Sequence, residues 1–171
     1  MNIVALVGLA GSGKTYASLL MNNQPGFETI VSYTTRPMRE GEVNGVDHYF
    51  VKLKDKPKQK DMLAYTVYGG YEYWTEKRQF SDPNKWYVYV IDETGLINLM
   101  DRSKKGEFKA NIYKVKMIRP SRPGIEQSRM ERDADREVIE DTFYNTVILN
   151  NGTEKHLEDL ILDLCEHIKS L

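Results

Sequence analysis

"IVALVGLAGSGKT", residues 3–15, decides how the rest of the chain is read. Its first five residues are apolar without interruption and include β-branched side chains, the pattern of a strand buried on both faces of a parallel sheet. They run directly into GLAGSGKT (8–15), which satisfies G-x-x-x-x-G-K-[ST], and KTYASLLMNN after it has helical spacing. Strand, glycine loop and helix in that order make a phosphate-binding loop. Gly8, Gly11 and Gly13 permit positive φ, so successive N–H groups, through Ser12 and on to the helix N-terminus, turn inward around an anionic polyphosphate. Lys14 then reaches the β and γ phosphates, and the Thr15 hydroxyl ligates magnesium.

The same strand pattern recurs at ETIVS (28–32), WYVYVID (86–92), NIYKVKMI (111–118) and NTVILN (145–150), with helical patterns between most of these runs. Alternating strands and helices predict an α/β protein with a parallel sheet and right-handed crossovers. Residues 93–104, 121–143 and 153–171 supply the later helices. The last has apolar residues at 157, 160, 161, 164, 165 and 168, an amphipathic stripe. Residues 46–75 break the alternation. There VDHYFVKLK, AYTVY and YEYWT predict short antiparallel strands, with Gly69 and Gly70 at a hairpin turn, so a β lobe is inserted into the sheet protein.

A chain of 171 residues suits one domain, and 24 basic against 25 acidic residues give a net charge of −1. No bulk field draws the protein to nucleic acid or an anionic membrane, so an anion must be held locally. Cys165 is the single cysteine and lies within an apolar helical pattern; no internal disulfide is possible and a packed, inert thiol is expected. The short apolar run at the N-terminus lacks a basic leader, which predicts a cytoplasmic protein with no membrane partner. His48, His156 and His167 show no metal-ligand spacing and read as surface or core histidines.

A second anion site follows the second strand. SYTTRPMR (32–39) emerges on the carboxyl edge of the sheet, where open α/β sheets bind ligands. Pro37 stiffens the loop between Arg36 and Arg39, so two guanidinium groups converge on one phosphate at little ordering cost. Two facing phosphate sites are what phosphoryl transfer needs. Arg129, Arg132 and Arg136 recur at i, i+3 and i+7, placing them on one helical face as lid residues; Arg129 and Arg132 are the candidates for contact with the transferring group. Asp92, ending its strand, fits either a water-mediated place near a nucleotide's magnesium or a helix cap.

Ser32, Thr34, Thr35, Arg36, Arg39, Gly41, Glu42, Gly45 and Phe50 satisfy S-x-T-T-R-x-x-R-x-G-E-x-x-G-x-x-x-x-F. With the phosphate loop, this segment resembles the signature of the guanylate kinases. The resemblance implies a P-loop NTPase three-layer sandwich in a single domain, 1–171: a core of 1–32, 86–118 and 144–171, a monophosphate-binding β lobe at 33–85 and a helical lid at about 119–143. It implies transfer of the γ-phosphate of ATP to GMP or dGMP with Mg2+, by a monomer or homodimer. It further implies that Arg36, Arg39, Tyr49 and Tyr73 grip the acceptor phosphate, that Ser32, Thr75 and Asp92 face the acceptor, and that Asn150 lies near the adenine of ATP.

Four positions depart from the family pattern. Ala64 stands where the family carries a glutamate that reads guanine, Val90 where it often carries an acid, and Trp74 where it has glycine. His48 aligns with the clamp tyrosine, which a one-residue shift would restore as Tyr49. Loss of a base-reading carboxylate alters specificity more than catalysis. The same chemistry on another or a modified deoxynucleoside monophosphate therefore stays open. A module that binds protein without turnover is the alternative of another class, and the intact Lys14 and Thr15 count against it.

Overall fold

The computed structural model describes residues 1–134, 136 and 138–171, and only the backbone of Arg132. In chain order the elements are β1 (Asn2–Val7), α1 (Lys14–Asn22), β2 (Phe27–Thr29), β3 (Tyr33–Thr34), β4 (Tyr49–Phe50), β5 (Met62–Tyr68) and β6 (Tyr71–Glu76). There follow β7 (Trp86–Val90), α2 (Glu93–Lys104), β8 (Asn111–Ile118), α3 (Gln127–Ala134), β9 (Thr146–Leu149) and α4 (Glu154–Lys169).

Five strands form a parallel sheet in the order β2-β7-β1-β8-β9. The uninterrupted apolar run belongs to its middle strand, where Ile3 to Val7 are all fully buried. The pleat sends Val4 and Leu6 to one face, where Ala17 and Met21 of α1 meet Leu157, Ile161, Cys165 and Ile168 of α4. Ile3, Ala5 and Val7 go to the other face, against Leu96 and Leu99 of α2 and Leu63 of β5. The fold class is thus the expected α/β sandwich, with helices on both faces of a parallel sheet. The stripe on α4 packs as its spacing predicted, and burial pushes the Cys165 thiol up to about 11. Thr153 caps this helix, its hydroxyl accepting from the His156 N–H at 3.2 Å.

The inserted lobe is a four-stranded sheet, β4-β3-β6-β5. Gly69 and Gly70, at φ 58° and 79°, make the turn between β5 and β6, and Tyr68 faces Tyr71 across it. Two strands of this lobe differ from expectation. β3 joins the sheet antiparallel to β6, and β4 pairs with β3 in parallel. The predicted strand through VKLK stops at Phe50; 3-10 turns at Leu53–Asp55 and Gln59–Asp61 replace it around Pro57, which cannot donate to a ladder.

Of the helix expected over 121–143, the described residues show α3, eight residues, with a 3-10 turn at Asp141–Phe143. Pro123 and Gly124, the latter at φ 73°, turn the chain before α3 begins. Among the described residues no helix is long and apolar enough to cross a membrane. The packing of α4 yields a stability test. Ile161→Ala is expected to lower the unfolding free energy by about 2–5 kcal/mol in urea titration, because a buried side chain leaves a cavity. Leu162→Ala, at a position 37% exposed, should cost far less.

Candidate active site

The phosphate loop leaves donors in want of an anion. Gly13, at φ 101°, occupies the cap position of α1, where no side chain accepts a bond from the first turn and no acidic residue stands. A Cβ on Gly13 would come within 2.7 Å of Asn150 Nδ2, and this amide donates to the Ser12 carbonyl at 3.1 Å. Asn150 therefore braces the loop from behind. The Lys14 ammonium donates to the carbonyls of Gly8 (2.7 Å) and Leu9 (2.9 Å). Burial, assisted by the nearby Arg136, lowers its pKa to about 8. Thr15 lies in the first turn of α1 with its side chain exposed to the cavity.

The anion that meets this loop comes from the protein itself. Asp133, on α3, accepts the Ala10 N–H at 2.9 Å and is 8% exposed. Arg122 pairs with the same carboxylate at 2.6 Å and also donates to the Ala10 carbonyl at 3.1 Å. Arg136 approaches Asp133 at 3.6 Å, donates to the Gly8 carbonyl at 2.8 Å and bonds Glu93 at 2.7 Å. Part of the segment that carries α3 is thus held on the loop by a carboxylate where an oxyanion can bind.

Across the cavity, the Arg36 guanidinium is buried and grips Glu42 with two bonds, at 2.9 and 2.7 Å. Glu42 also accepts the Arg39 backbone N–H at 2.7 Å. Burial would raise the Glu42 pKa, but the bonds from Arg36 and the Arg39 amide hold it below the usual carboxylate value. Tyr73 places its phenol against Arg36. The Ser32 hydroxyl lies 2.9 Å from His48 Nδ1, and the His48 ring stands edge-on to Tyr73 and Phe50. Tyr49, the expected clamp residue, turns outward and stacks on Tyr33. Alternation from His48 into β4 puts His48 and Phe50 on one side and Tyr49 on the other.

One cavity of about 520 Å³ joins the two ends. Six basic side chains line it, Lys14, Arg36, Arg39, Arg119, Arg129 and Arg136, against the carboxylates of Asp92 and Asp133. Ser32, His48, Thr66 and Tyr73 complete its polar wall near Arg36. The Arg132 side chain lies outside the described residues. Thr75 is fully buried beside the Tyr89 phenol, and neither it nor Asn150 is among the lining residues.

Asp92 caps α2, one carboxylate oxygen accepting the Gly95 N–H at 2.6 Å and the other facing the Thr66 hydroxyl at 3.4 Å. Burial raises its pKa. Of its two sequence readings, the cap is the one the geometry displays. Sequence reasoning assigned no role to Asp133, Arg119, Arg122 or Glu42; only the recurrence of Glu42 in the arginine motif could have drawn attention to it.

Residues 1–165 match the sequence pattern described as guanylate kinase. The chain belongs to the guanylate kinase family. It is 36% identical over 115 residues to the guanylate kinase of Clostridium tetani, an alignment covering 62% of this chain and 54% of that protein. Thus it matches about half the length of that relative. With the guanylate kinase of Lactobacillus acidophilus it is 28% identical over 185 aligned positions, 99% of this chain and 86% of the relative. The crystal structure of guanylate kinase from Anaplasma phagocytophilum superposes with a TM-score of 0.73 at 21% identity, covering 98% of this chain and 84% of that one, a likeness of fold.

The Asp133 contact predicts self-competition for the loop. Asp133→Asn should tighten ATP binding in the absence of acceptor by roughly three- to tenfold, because the apparent affinity no longer includes displacement of a carboxylate. Calorimetric titration checks this, and weaker binding by the variant would count against the competition.

Proposed function

We propose that this protein transfers the γ-phosphoryl group of ATP to GMP or dGMP, giving the diphosphate. The observation that carries this reading is the single cavity, with the uncapped phosphate loop and Lys14 at one end and Arg36, Arg39 and Tyr73 at the other. A polyphosphate bound on the loop and a monophosphate bound on the arginines would approach each other end to end. Phosphoryl transfer draws its rate from such positioning and from positive charge spread over the transferring oxygens, with no nucleophilic side chain. Lys14 supplies charge at the β and γ phosphates, and Arg129 and Arg136 add it from the lid segment. Lys14 and Arg36 have partners within the protein, so each ligand would exchange one set of charge-assisted bonds for another.

Magnesium fits the donor set. Thr15 offers one hydroxyl at the cavity wall, and Mg2+ in such sites takes few protein ligands and completes its shell with phosphate oxygens and water. When bound, the ion would neutralise developing negative charge between the two phosphates. Ser32, Thr66 and Asp92 are the polar groups available to the acceptor's base; Ala64 is packed in the core, 1% exposed. With its reduced, buried Cys165, the protein would work in the cytoplasm as a monomer or homodimer.

A coupled assay across the common nucleoside monophosphates is expected to show phosphoryl transfer with preference for GMP or dGMP. Lys14→Ala should lower kcat by about 100-fold or more, the usual scale for loss of one preorganised charge contact. Full activity in that variant, or no transfer to any acceptor by the wild type, would overturn the reading.

A further inference from the structure

At the acceptor end, a titratable imidazole stands where the family pattern has a tyrosine. His48 lies on the cavity wall with Arg36, Arg39 and Tyr73. Its ring is held on three sides: Nδ1 is 2.9 Å from the Ser32 hydroxyl, and the edges meet Tyr73 and Phe50 at centroid distances of 5.7 Å. The one side-chain hydrogen bond of the ring among the described residues is made at Nδ1. A half-buried imidazole with one nitrogen fixed and the other available beside a guanidinium suits an anionic ligand.

We infer that His48 Nε2 is a ligand of the acceptor's phosphate, and that the ring takes up a proton from solvent when the dianionic phosphate binds. The inference rests on the proposed function, because it assigns the acceptor phosphate to this end of the cavity. Burial first and the Arg36 charge second hold the ring below its ordinary pKa, while Glu42, Asp47 and a bond to the Ser32 backbone oppose the shift. Ser32, from the segment before β3, and Tyr73, from β6, are the polar groups facing it across the elements packed on β4. In the tautomer whose Nδ1 accepts the Ser32 O–H, the neutral ring carries its hydrogen on Nε2, the nitrogen assigned to the ligand. A dianion between Arg36 and His48 replaces net repulsion with attraction and raises the ring's pKa. The added proton sits on Nδ1, which then donates to Ser32 Oγ and frees the serine hydrogen to turn toward the ligand.

The sign follows from linkage. The ring's pKa is higher in the complex, so the contribution of the imidazolium to affinity is fully present below the empty-site pKa. It is lost as pH rises through that of the complex. Acceptor affinity should therefore fall with rising pH above the neutral range, and ATP affinity should not follow it.

The test is calorimetric binding of GMP at pH 7.5 in buffers of differing ionisation enthalpy, with wild type, His48→Gln and guanosine as controls. At this pH GMP is mostly dianionic, and its own titration is common to wild type and variant. Wild type is expected to take up about half a proton or more per GMP bound beyond His48→Gln, whereas guanosine, lacking phosphate, should induce none. His48→Gln should raise KM for GMP by roughly five- to tenfold with KM for ATP unchanged, the scale of a charge-assisted hydrogen bond. Equal uptake of protons for GMP and guanosine by the wild type would overturn the inference without any variant. Unchanged KM for GMP in a folded His48→Gln would do the same. A wild type that binds GMP with the expected uptake and transfers nothing would overturn the function while leaving this role in place.

Discussion

Between β1 and α1 the chain turns through glycines at positive φ and starts a helix with no side chain to cap it, so several N–H donors and an ammonium are gathered in one concave place. Buried donors without partners cost on the order of 1–3 kcal/mol each, so the surroundings must supply acceptors. They are the Gly8 and Leu9 carbonyls for Lys14 and the Asp133 carboxylate for Ala10. The same arrangement recurs at the other end of the cavity, where Glu42 holds Arg36. A chain of net charge −1 thus carries a cavity lined by six cations, with its own carboxylates standing in for phosphates.

Sheet register brings these groups together. Leu6 pairs with Val90 and Val7 with Lys116, so the chain leaves β1, β7 and β8 at one edge within a few residues of each other. Gly8, Asp92 and Arg119 then emerge side by side. The buried alternation of β1 fixes that register, since a slip of one residue would exchange its two core faces. Core packing and site geometry are consequently one constraint.

This explains which features were legible in the sequence. The phosphate loop, the buried strands and the Arg36–Arg39 pair are local patterns, and local spacing predicts them. Tyr49 against His48 was a question of parity, settled only by the pairing of Tyr33 with Tyr49 and Thr34 with Phe50. Asp133 meets Ala10 across 123 residues, and within a run of alternating charges nothing marked it from its neighbours. Asn150 illustrates the same limit: its position after the last strand was legible, but its bond to the Ser12 carbonyl depends on how closely α1 and β9 approach. α3 starts later than its charge spacing predicts because the chain turns at Pro123–Gly124.

The central claim is that the two phosphate sites belong to one cavity and face each other. A bisubstrate ligand in which adenosine and guanosine are joined through a chain of phosphates tests this most directly by titration calorimetry. Simultaneous engagement should bind it roughly 100-fold or more tightly than ATP or GMP alone, through effective concentration. Affinity no greater than that of ATP alone would mean that the two ends do not bind their phosphates in line, and would contradict the account.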